Sequence, residues 1–349
     1  MNTVSATELT DALSLASSWQ KGDGVVVPTF RQLVLVKGGV EVYSEAGIIS
    51  SPVTGIDVEE PVCIERLALA SWHGQRRGSQ ELTLEITDGH AVLCSGAHSR
   101  ISIPVHPMEG VSAANWEVDL EVTLPDSAAS SFTDDIRSVG FFSGDPTVSG
   151  EHAGVHVYPG DSARMYATDN LGAASCSSVP YPGRPFVVPH ALAARSSFLS
   201  ADIPVTAVQY GVGGQVTLVR ADGAKCSFQS AKPYDLGWWD SVLPGYSEGA
   251  PLPDGFLQTI SSFKRLATAA GQSTGVIDFT VRDGVLTVSM PECPIATPEA
   301  TFDTALRDVH VSLVLSTFAR ALTHTTHYNV TEEGLVSRKG RVTNYCSPQ

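Results

Sequence analysis

A β-hairpin is predicted by the stretch Leu82-Thr83-Leu84-Glu85-Ile86-Thr87, which is followed by Asp88-Gly89 and then by Ala91-Val92-Leu93-Cys94. Apolar and polar side chains alternate along the first run, as in a strand with one buried face. Asp-Gly between two such runs is a strong signal for a hairpin turn, because these residues tolerate the positive φ angles that the turn requires. The stretch decides the fold class, because the same construction occurs elsewhere in the chain.

Further copies of the hairpin pattern are centred on Asp222-Gly223 and Asp283-Gly284. Three such hairpins in 349 residues predict a repeated unit of about 115 residues, one third of the chain. Candidate linkers at residues 106–110 and 245–253 lie near the boundaries between such units. We therefore expect three similar domains, at residues 1–114, 115–245 and 246–349.

Helical periodicity is less frequent than strand alternation, but it also recurs along the chain. Ser5 and Glu8 form the pattern of a capping box in front of the apolar positions Leu9, Ala12 and Leu13. Two helices are expected in each third, over residues 5–19, 64–73, 130–142, 189–199, 254–267 (capped by Asp254) and 312–322. The predicted class is α+β, with three tandem domains that each combine two helices with a largely antiparallel sheet.

The composition is typical of a folded, acidic protein. The 349 residues are 42% hydrophobic and carry a formal net charge of −15, and the sequence pI is about 5.0. No apolar run approaches the roughly 18 residues that a transmembrane helix needs, and the first residues lack the features of a secretory signal. We therefore expect a cytoplasmic protein, in the host cytoplasm if the origin is viral.

Motifs for catalysis or metal binding are weak. The six cysteines are scattered without a Cys-x-x-Cys pair, so neither a zinc ribbon nor a redox pair is predicted. Residues 245–249 match a nucleophile elbow, but the flanking prolines oppose the helix that it needs. His324 and His327 lack a nearby carboxylate or cysteine, and residues 211–214 lack the third glycine of a dinucleotide loop. We expect no catalytic residue, no metal site and no cofactor.

Several segments resemble, in order and spacing, those of the bacterial DNA polymerase III β subunit, the DNA sliding clamp, including its phage-encoded relatives. The resemblance runs nearly end to end and is sharpest in the middle third. It rests on the segments Leu93–Ile103, Val118–Pro125, Arg164–Asp169, Phe186–Pro189 and Trp239–Pro244. The chain departs from the family at residues 170–173, where Asn-Leu-Gly-Ala replaces Gly-His-Arg-Leu, and in its shorter tail.

The resemblance implies a head-to-tail homodimeric ring that encircles double-stranded DNA, tethers the replicative polymerase and does no chemistry itself. The implied dimer contact joins the strand near Ile101 and Ile103 of one chain to the region near Leu266 of the other. Because a ring must be opened, an ATP-driven clamp loader is an implied partner. No membrane partner is expected.

Basic residues occur on or beside the predicted helices, where a clamp would point them at DNA phosphates. Acidic residues share these helices, so ordinary solvated helix faces remain an alternative interpretation. The candidate DNA-binding residues are Lys21, Arg66, Arg76, Arg77, Arg137, Arg195, Lys264, Arg265 and Arg320.

The resemblance also implies a cleft into which client proteins insert a short hydrophobic peptide. In the alternative interpretation, Leu171 is a core residue and the tail frays. The loss of the family's His-Arg pair at Leu171 and Gly172 predicts a changed peptide preference. Carried over position by position, the cleft wall consists of Thr168, Leu171, Gly172, Ala173, Pro244, Tyr345, Ser347 and Pro348.

A phage structural or decoration protein built of repeated β domains is the alternative function. It would explain the acidic charge and the many strands without DNA. It would not explain two predicted helices in each third or the cations on them.

Overall fold

The computed structural model describes residues 2–19, 32–74, 82–96, 99–108, 117–243, 249–272, 275–323 and 325–349. Contacts divide the chain into two compact units: unit 1 is Met1–Asp134 with Arg195–Ala231, and unit 2 is Asp135–Ala194 with Lys232–Gln349. The predicted α+β class is confirmed, since helices accompany sheets whose strand pairs are antiparallel throughout the described residues. The boundaries of the three expected domains stay a prediction.

Strands outnumber helices among the described residues. In chain order they are β1 (Asn2–Val4), β2 (Gln32–Val36), β3 (Gly39–Ser44), β4 (Gly47–Pro52), β5 (Val62–Glu65), β6 (Leu82–Thr87), β7 (His90–Ser95), β8 (Ser99–His106), β9 (Val118–Thr123), β10 (Val155–Tyr158), β11 (Arg164–Thr168) and β12 (Gly172–Ser177). They continue with β13 (Phe186–Val188), β14 (Val205–Gly211), β15 (Gln215–Arg220), β16 (Lys225–Gln229), β17 (Ala250–Pro251), β18 (Val276–Arg282), β19 (Val285–Ser289), β20 (Glu299–Asp303), β21 (Val309–Val314), β22 (His327–Thr331), β23 (Gly334–Lys339) and β24 (Val342–Cys346).

The helices of the described residues are shorter on average than the predicted ones. They are α1 (Ala6–Trp19), α2 (Arg66–Gly74), α3 (Asp126–Gly140), α4 (Pro146–Ser149), α5 (Leu236–Val242), α6 (Phe256–Ala269) and α7 (Leu315–Ala321). Single helical turns occur at Gly150–His152 and Ala191–Arg195. None of these helices combines the length and apolar character needed to cross a membrane.

The three predicted hairpins are confirmed as β6–β7, β15–β16 and β18–β19. Asp88 and Gly89 have φ angles of 49° and 73°, and Asp283 and Gly284 have 50° and 77°. Two successive positive φ angles characterise the tight turn that Asp-Gly favours. The β15–β16 turn is longer, and of its Asp-Gly pair only Gly223 has a positive φ.

Unit 1 contains a 12-stranded sheet in the order β1-β6-β7-β8-β5-β2-β3-β4-β16-β15-β14-β9. The strands β4 and β16 pair from Ile48 opposite Ser227 to Ser50 opposite Lys225. At the start of β4, Gly47 has φ +144°, and a Cβ atom there would lie 2.3 Å from the Ser227 carbonyl oxygen. Glycine is therefore required where these two strands meet.

Helix α1 begins as predicted, but only half of the expected capping box forms. The Glu8 N–H donates to Ser5 Oγ at 3.4 Å. The Glu8 carboxylate accepts from the Thr54 N–H at 2.6 Å, and the Ser5 N–H donates to the Thr54 carbonyl at 3.0 Å. A tertiary contact with Thr54 thus replaces the local return bond from Glu8 to Ser5.

Other predicted helices differ from the structure in extent. Helix α3 begins at Asp126, and residues 64–65 and 312–314 belong to β5 and β21. Over residues 189–199 only the turn Ala191–Arg195 is helical. The helical turn ends there because the chain buries the Phe198 side chain fully, and the Phe198 N–H donates to Ser196 Oγ at 3.1 Å. Helix α6 begins after Gly255, and Asp254 does not cap it. The sequence did not predict α4 and α5.

Unit 2 contains an 8-stranded sheet in the order β13-β10-β11-β12-β24-β23-β22-β17 and a 4-stranded sheet in the order β20-β19-β18-β21. In the first sheet, β12 pairs with β24 from Gly172 opposite Cys346 to Cys176 opposite Val342. Phe256 of α6 and Phe318 of α7 are both fully buried, with their ring centroids 6.2 Å apart. Their burial fastens the two helices to the core of this unit.

A buried aromatic cluster attaches α5 to β10 and β11. Trp239 is fully buried, donates through Nε1 to Tyr158 Oη at 3.1 Å and stacks on the Tyr166 ring at 5.4 Å. The fully buried His156 accepts at Nδ1 from the Tyr234 N–H at 3.1 Å. Burial lowers the pKa of His156 to about 4, so its ring is neutral in the folded protein at pH 7.

The buried ring of His156 predicts a loss of stability in mild acid. An unfolded histidine has a pKa of about 6.5, so the neutral ring stabilises the fold above pH 6.5, and this contribution is lost as the pH falls towards about 4. As the pH falls from 7 to 5, protonation of this residue in the unfolded chain should lower the free energy of unfolding by about 2 kcal/mol. Urea denaturation of His156→Gln should therefore show a smaller pH dependence than the wild type. His90→Gln, on the partly exposed β7, is the control, and identical pH dependence in all three proteins would contradict the assignment.

Candidate functional site

The described residues of the predicted cleft lie together in unit 2, at one end of the β12–β24 pair. In the register of these strands Gly172 is opposite Cys346, and Ala173 is opposite Tyr345. Beyond β24, the Ser347 N–H donates to the Leu171 carbonyl at 3.1 Å. Pro244 lies outside the described residues.

A tight turn between β11 and β12 presents Leu171. Thr168 Oγ1 donates to the Gly172 carbonyl at 2.8 Å and accepts from the Asn170 N–H at 3.1 Å. Asp169 Oδ1 accepts from the N–H groups of Leu171 and Gly172 at 3.1 and 2.9 Å. Leu171 is 39% exposed, so the alternative interpretation of this side chain as a core residue is wrong.

The C-terminal tail is paired with neighbouring backbone and does not fray. Pro348 forms a bridge to β21, and the Gln349 N–H donates to a β21 carbonyl at 2.9 Å. The partly buried Tyr345 donates through its hydroxyl to the Glu333 carbonyl at 2.5 Å, and burial raises the pKa of this hydroxyl. The tail therefore forms a fixed wall next to Leu171.

Gly172 stands where the resembling family has arginine, and the structure leaves no room for a side chain there. A Cβ atom would lie 2.6 Å from Thr317 Cγ2, 2.8 Å from Phe142 Cε1 and 2.8 Å from the Tyr345 carbonyl oxygen. Distances below 3.0 Å exclude any residue but glycine unless the neighbours move. The sequence showed the substitution, but only the structure shows that Phe142 and Thr317 of α7 pack against Gly172.

Arg320 lies at this turn, and its positive charge is compensated. Its guanidinium forms an ion pair with Asp169, donates to the Phe141 carbonyl at 3.0 Å and lies 4.7 Å from the centroid of the Phe142 ring. Asp169 in turn accepts from the turn N–H groups, so Arg320 orients the segment that carries Leu171. The role of the partly exposed Arg320 in DNA binding stays a prediction.

An aromatic pair directly after α3 was not predicted from the sequence. Phe141 is 52% exposed and Phe142 is buried, and both contact Arg320. An exposed phenylalanine beside a buried one at a helix end is a weak signal, because single exposed apolar residues are common. Phe141 is therefore an exposed apolar side chain in a segment that Arg320 joins to the turn.

The candidate DNA-binding residues fall into different environments. Arg137, Arg195, Lys264 and Arg265 are exposed. Arg66 is only 7% exposed and donates to Ser17 Oγ at 3.1 Å, and burial lowers its pKa. Arg66 therefore joins α2 to α1 and is removed from the candidate surface. Lys21, Arg76 and Arg77 lie outside the described residues.

Helix α6 carries the densest exposed cations of the described helices. Lys264 and Arg265 are adjacent, and the sequence of α6 contains no acidic residue. In contrast, α1 carries Glu8 and Asp11 without a cation. Positive charge is thus unevenly distributed over the described helices.

The residues of the predicted dimer contact lie on strand β8 and helix α6. On β8, Ile101 is partly buried and Ile103 is 2% exposed. Strand β8 pairs with β7 through residues 99–104, but it pairs with β5 only through Val105 and His106. In unit 2, β20 is the end strand of its sheet. The partly buried Leu266 lies on α6. The dimer contact itself stays a prediction.

The weak motifs show no catalytic geometry in the described part of the chain. Residues 211–214 end β14 and form its turn to β15, with positive φ at Gly213 and Gly214. The His327 ring contacts Thr326 Oγ1 at 3.1 Å, while His324 and residues 245–248 lie outside the described residues. No group of three or more potential metal ligands occurs among the described residues.

Comparison with solved structures identifies the fold. The chain matches a putative DNA polymerase III beta subunit from Eubacterium rectale with a TM-score of 0.78 at 12% identity, covering 100% of this chain and 99% of that one. It matches the DNA polymerase III subunit beta from Pseudomonas aeruginosa with a TM-score of 0.75 at 14% identity, over 100% of both chains. The chain has the fold of a DNA sliding clamp.

A third match supports the same fold. The DNA polymerase III beta subunit from Thermotoga maritima aligns with a TM-score of 0.76 at 13% identity, covering 100% of this chain and 98% of that one. No protein-family model and no curated protein matches the sequence. The likeness is therefore one of three-dimensional structure, and the phage structural protein considered as an alternative receives no support from it.

Proposed function

We propose that this chain is a DNA sliding clamp, a dimeric ring that encircles duplex DNA and tethers a replicative polymerase without catalysing a reaction. The observation that carries this proposal is the end-to-end likeness to DNA polymerase III beta subunits, which covers 100% of the chain. One matched Pseudomonas aeruginosa structure is itself described as a sliding clamp. A clamp acts where the DNA is, so we assign the protein to the cytoplasm, or to the host cytoplasm if it is viral.

The ring would close through β8 of one chain and β20 of its partner. Both strands offer backbone N–H and C=O groups that the described strands leave unpaired along one edge, and antiparallel addition would satisfy them. Arg100 is exposed on β8, and Glu299 and Asp303 are exposed on β20, so the edges carry opposite charge. A heterologous contact that closes on itself gives a ring, and Ile101, Ile103 and Leu266 would flank it.

DNA would be retained by topology more than by affinity. The exposed Arg137, Arg195, Lys264 and Arg265 would contact phosphates without reading the sequence. A net charge of −15 opposes binding of DNA elsewhere on the protein. Because the ring must open, we include a clamp loader among the partners.

Client proteins would dock in the cleft at the end of β12 and β24. Leu171 and the partly buried Tyr345 supply apolar surface, and the turn hydrogen bonds of Asp169 fix the position of Leu171. Apolar side chains held by a fixed backbone suit a short hydrophobic segment of a polymerase. With no side chain at Gly172, the preferred peptide would differ from that of cellular clamps.

Retention on DNA should depend on closed ends. The protein is assembled around nicked circular plasmid by concentrating dilute chains in the presence of the plasmid. We expect the resulting complex to survive a wash in about 0.5 M salt, although this salt concentration suppresses phosphate contacts. Linearising the plasmid should release it, because a ring slides off a free end. Gel filtration of the protein–DNA mixture measures the retained fraction.

The double variant Lys264→Gln and Arg265→Gln separates topology from charge in this experiment. It should weaken binding to linear DNA at low salt while leaving end-dependent retention intact. Equal release from circular and linear plasmid by the wild type would contradict the clamp proposal and indicate ordinary backbone binding.

A charge placed in the cleft should abolish client docking. Leu171→Asp should weaken the binding of a synthetic peptide with two adjacent leucines by at least roughly tenfold, the effect of losing an apolar anchor. Leu257→Asp is the matched control, because Leu257 is 41% exposed on α6 against 39% for Leu171. Fluorescence polarisation measures both affinities, and unchanged binding by Leu171→Asp would relocate the docking site.

A further inference from the structure

Three partly exposed rings cluster on unit 2, where α5 packs against the helical turn before β10. They belong to His152, Tyr234 and Trp238, and we call them the aromatic surface. The His152 ring stacks on the Trp238 indole, with the centroids 4.3 Å and the planes 12° apart. The Tyr234 ring meets both at steep angles, with its centroid 4.3 Å from that of His152 and 5.0 Å from that of Trp238.

Hydrogen bonds to neighbouring residues hold the aromatic surface in place. The Tyr234 N–H donates to Nδ1 of the fully buried His156 at 3.1 Å. The Tyr234 carbonyl accepts from Tyr158 Oη at 2.5 Å. The Asp235 carboxylate accepts from the Trp238 N–H at 3.0 Å and thereby caps α5. Because these contacts order the backbone beneath the rings before a ligand arrives, binding costs less conformational entropy.

Acidic side chains border the aromatic surface. Glu151 precedes His152 in the chain, Asp235 follows Tyr234, and both acids are exposed. Neither carboxylate forms an ion pair with a described residue. The protein as a whole carries a net charge of −15. The local charge and the overall charge therefore both favour a cation at this surface.

The other charges close to the rings in sequence do not cancel these acids. Asp240, also on α5, pairs with Arg164 at 2.9 Å, so this pair adds no net charge. Lys232 is exposed just before the segment and offsets one negative charge, which leaves a net negative charge beside the rings. Burial lowers the pKa of His152, so its ring is neutral at pH 7 and does not repel a cation.

A cationic side chain can use both features of this surface. The faces of aromatic rings carry partial negative charge and attract cations, and tryptophan does so most strongly. An arginine guanidinium is planar and stacks on an aromatic ring, whereas a lysine ammonium acts as a compact point charge. An uncharged apolar side chain would contact the rings but would gain nothing from the carboxylates.

We propose that the aromatic surface binds an arginine or lysine side chain of a partner protein. The cationic group lies against the rings, and the carboxylates of Glu151 and Asp235 compensate its charge. The partner is thereby identified by its chemistry, as a protein with an exposed basic segment. The inference goes beyond the proposed clamp function, because it requires neither DNA nor a closed ring.

The test uses three capped pentapeptides that carry arginine, lysine or norleucine between glycines, in about 0.15 M salt to screen unspecific attraction. Proton NMR follows the last methylene group of the central side chain as wild-type protein is added. Ring currents should move the arginine and lysine signals upfield. These two peptides should bind about two- to fivefold more tightly than the norleucine peptide, and their two arms distinguish the sources of the cation.

Variants locate the binding on the protein. Trp238→Leu should abolish the upfield shift, and Trp238→Phe, which keeps an aromatic face, should retain part of it. Glu151→Gln should weaken the binding of the arginine peptide about twofold, the effect of losing one exposed charge partner. Trp72→Leu is the matched control, because Trp72 is another partly exposed tryptophan, on α2 in unit 1. It should leave both the shift and the affinity unchanged.

Two results would overturn the proposal: equal affinities of the wild type for the arginine and norleucine peptides, or an upfield shift that survives in Trp238→Leu. If Trp238→Leu does not fold, Glu151→Gln decides, and unchanged affinity of this variant for the arginine peptide would overturn the proposal as well. None of these results bears on the clamp proposal, which the retention of plasmid tests separately.

Discussion

The antiparallel pairing of β12 with β24 is the interaction on which the rest of unit 2 depends. It brings Gly172–Cys176 against Val342–Cys346, so that the turn carrying Leu171 meets the C-terminal tail at one end of the pair. Ladder hydrogen bonds join main-chain groups and tolerate many side chains. The pairing itself therefore places few demands on the side chains along it. Gly172 is an exception that arises from packing, because its neighbours leave no room for a side chain.

Local signals predicted the parts of the fold that local physics determines. Asp88-Gly89 and Asp283-Gly284 form their turns because two adjacent residues set the backbone. Helix ends were predicted less well, because tertiary contacts decide them: Glu8 bonds to Thr54, and the burial of Phe198 ends the helical turn at Arg195. Arg320 meets Asp169 across 151 residues of sequence, so no local pattern could have indicated that pair.

The candidate site was predictable only in outline. The resemblance identified Ala173 and Tyr345, and strand pairing places them opposite each other. Charge on a helix was a poorer guide, because the sequence cannot distinguish the buried Arg66 from the exposed Arg137. What remains is an acidic protein in which, among the described helices, α6 carries two adjacent exposed cations and no acidic residue. Such a surface suits holding DNA by enclosure, since few phosphate contacts leave the protein free to slide.

Enclosure requires a closed ring, and electron microscopy of the purified protein at micromolar concentration tests this most directly. The account predicts two chains joined head to tail through β8 and β20, forming a closed particle with a central hole wide enough for a DNA duplex. Single chains at that concentration would contradict it. Open filaments would also contradict it, because they would mean that the heterologous contact does not close.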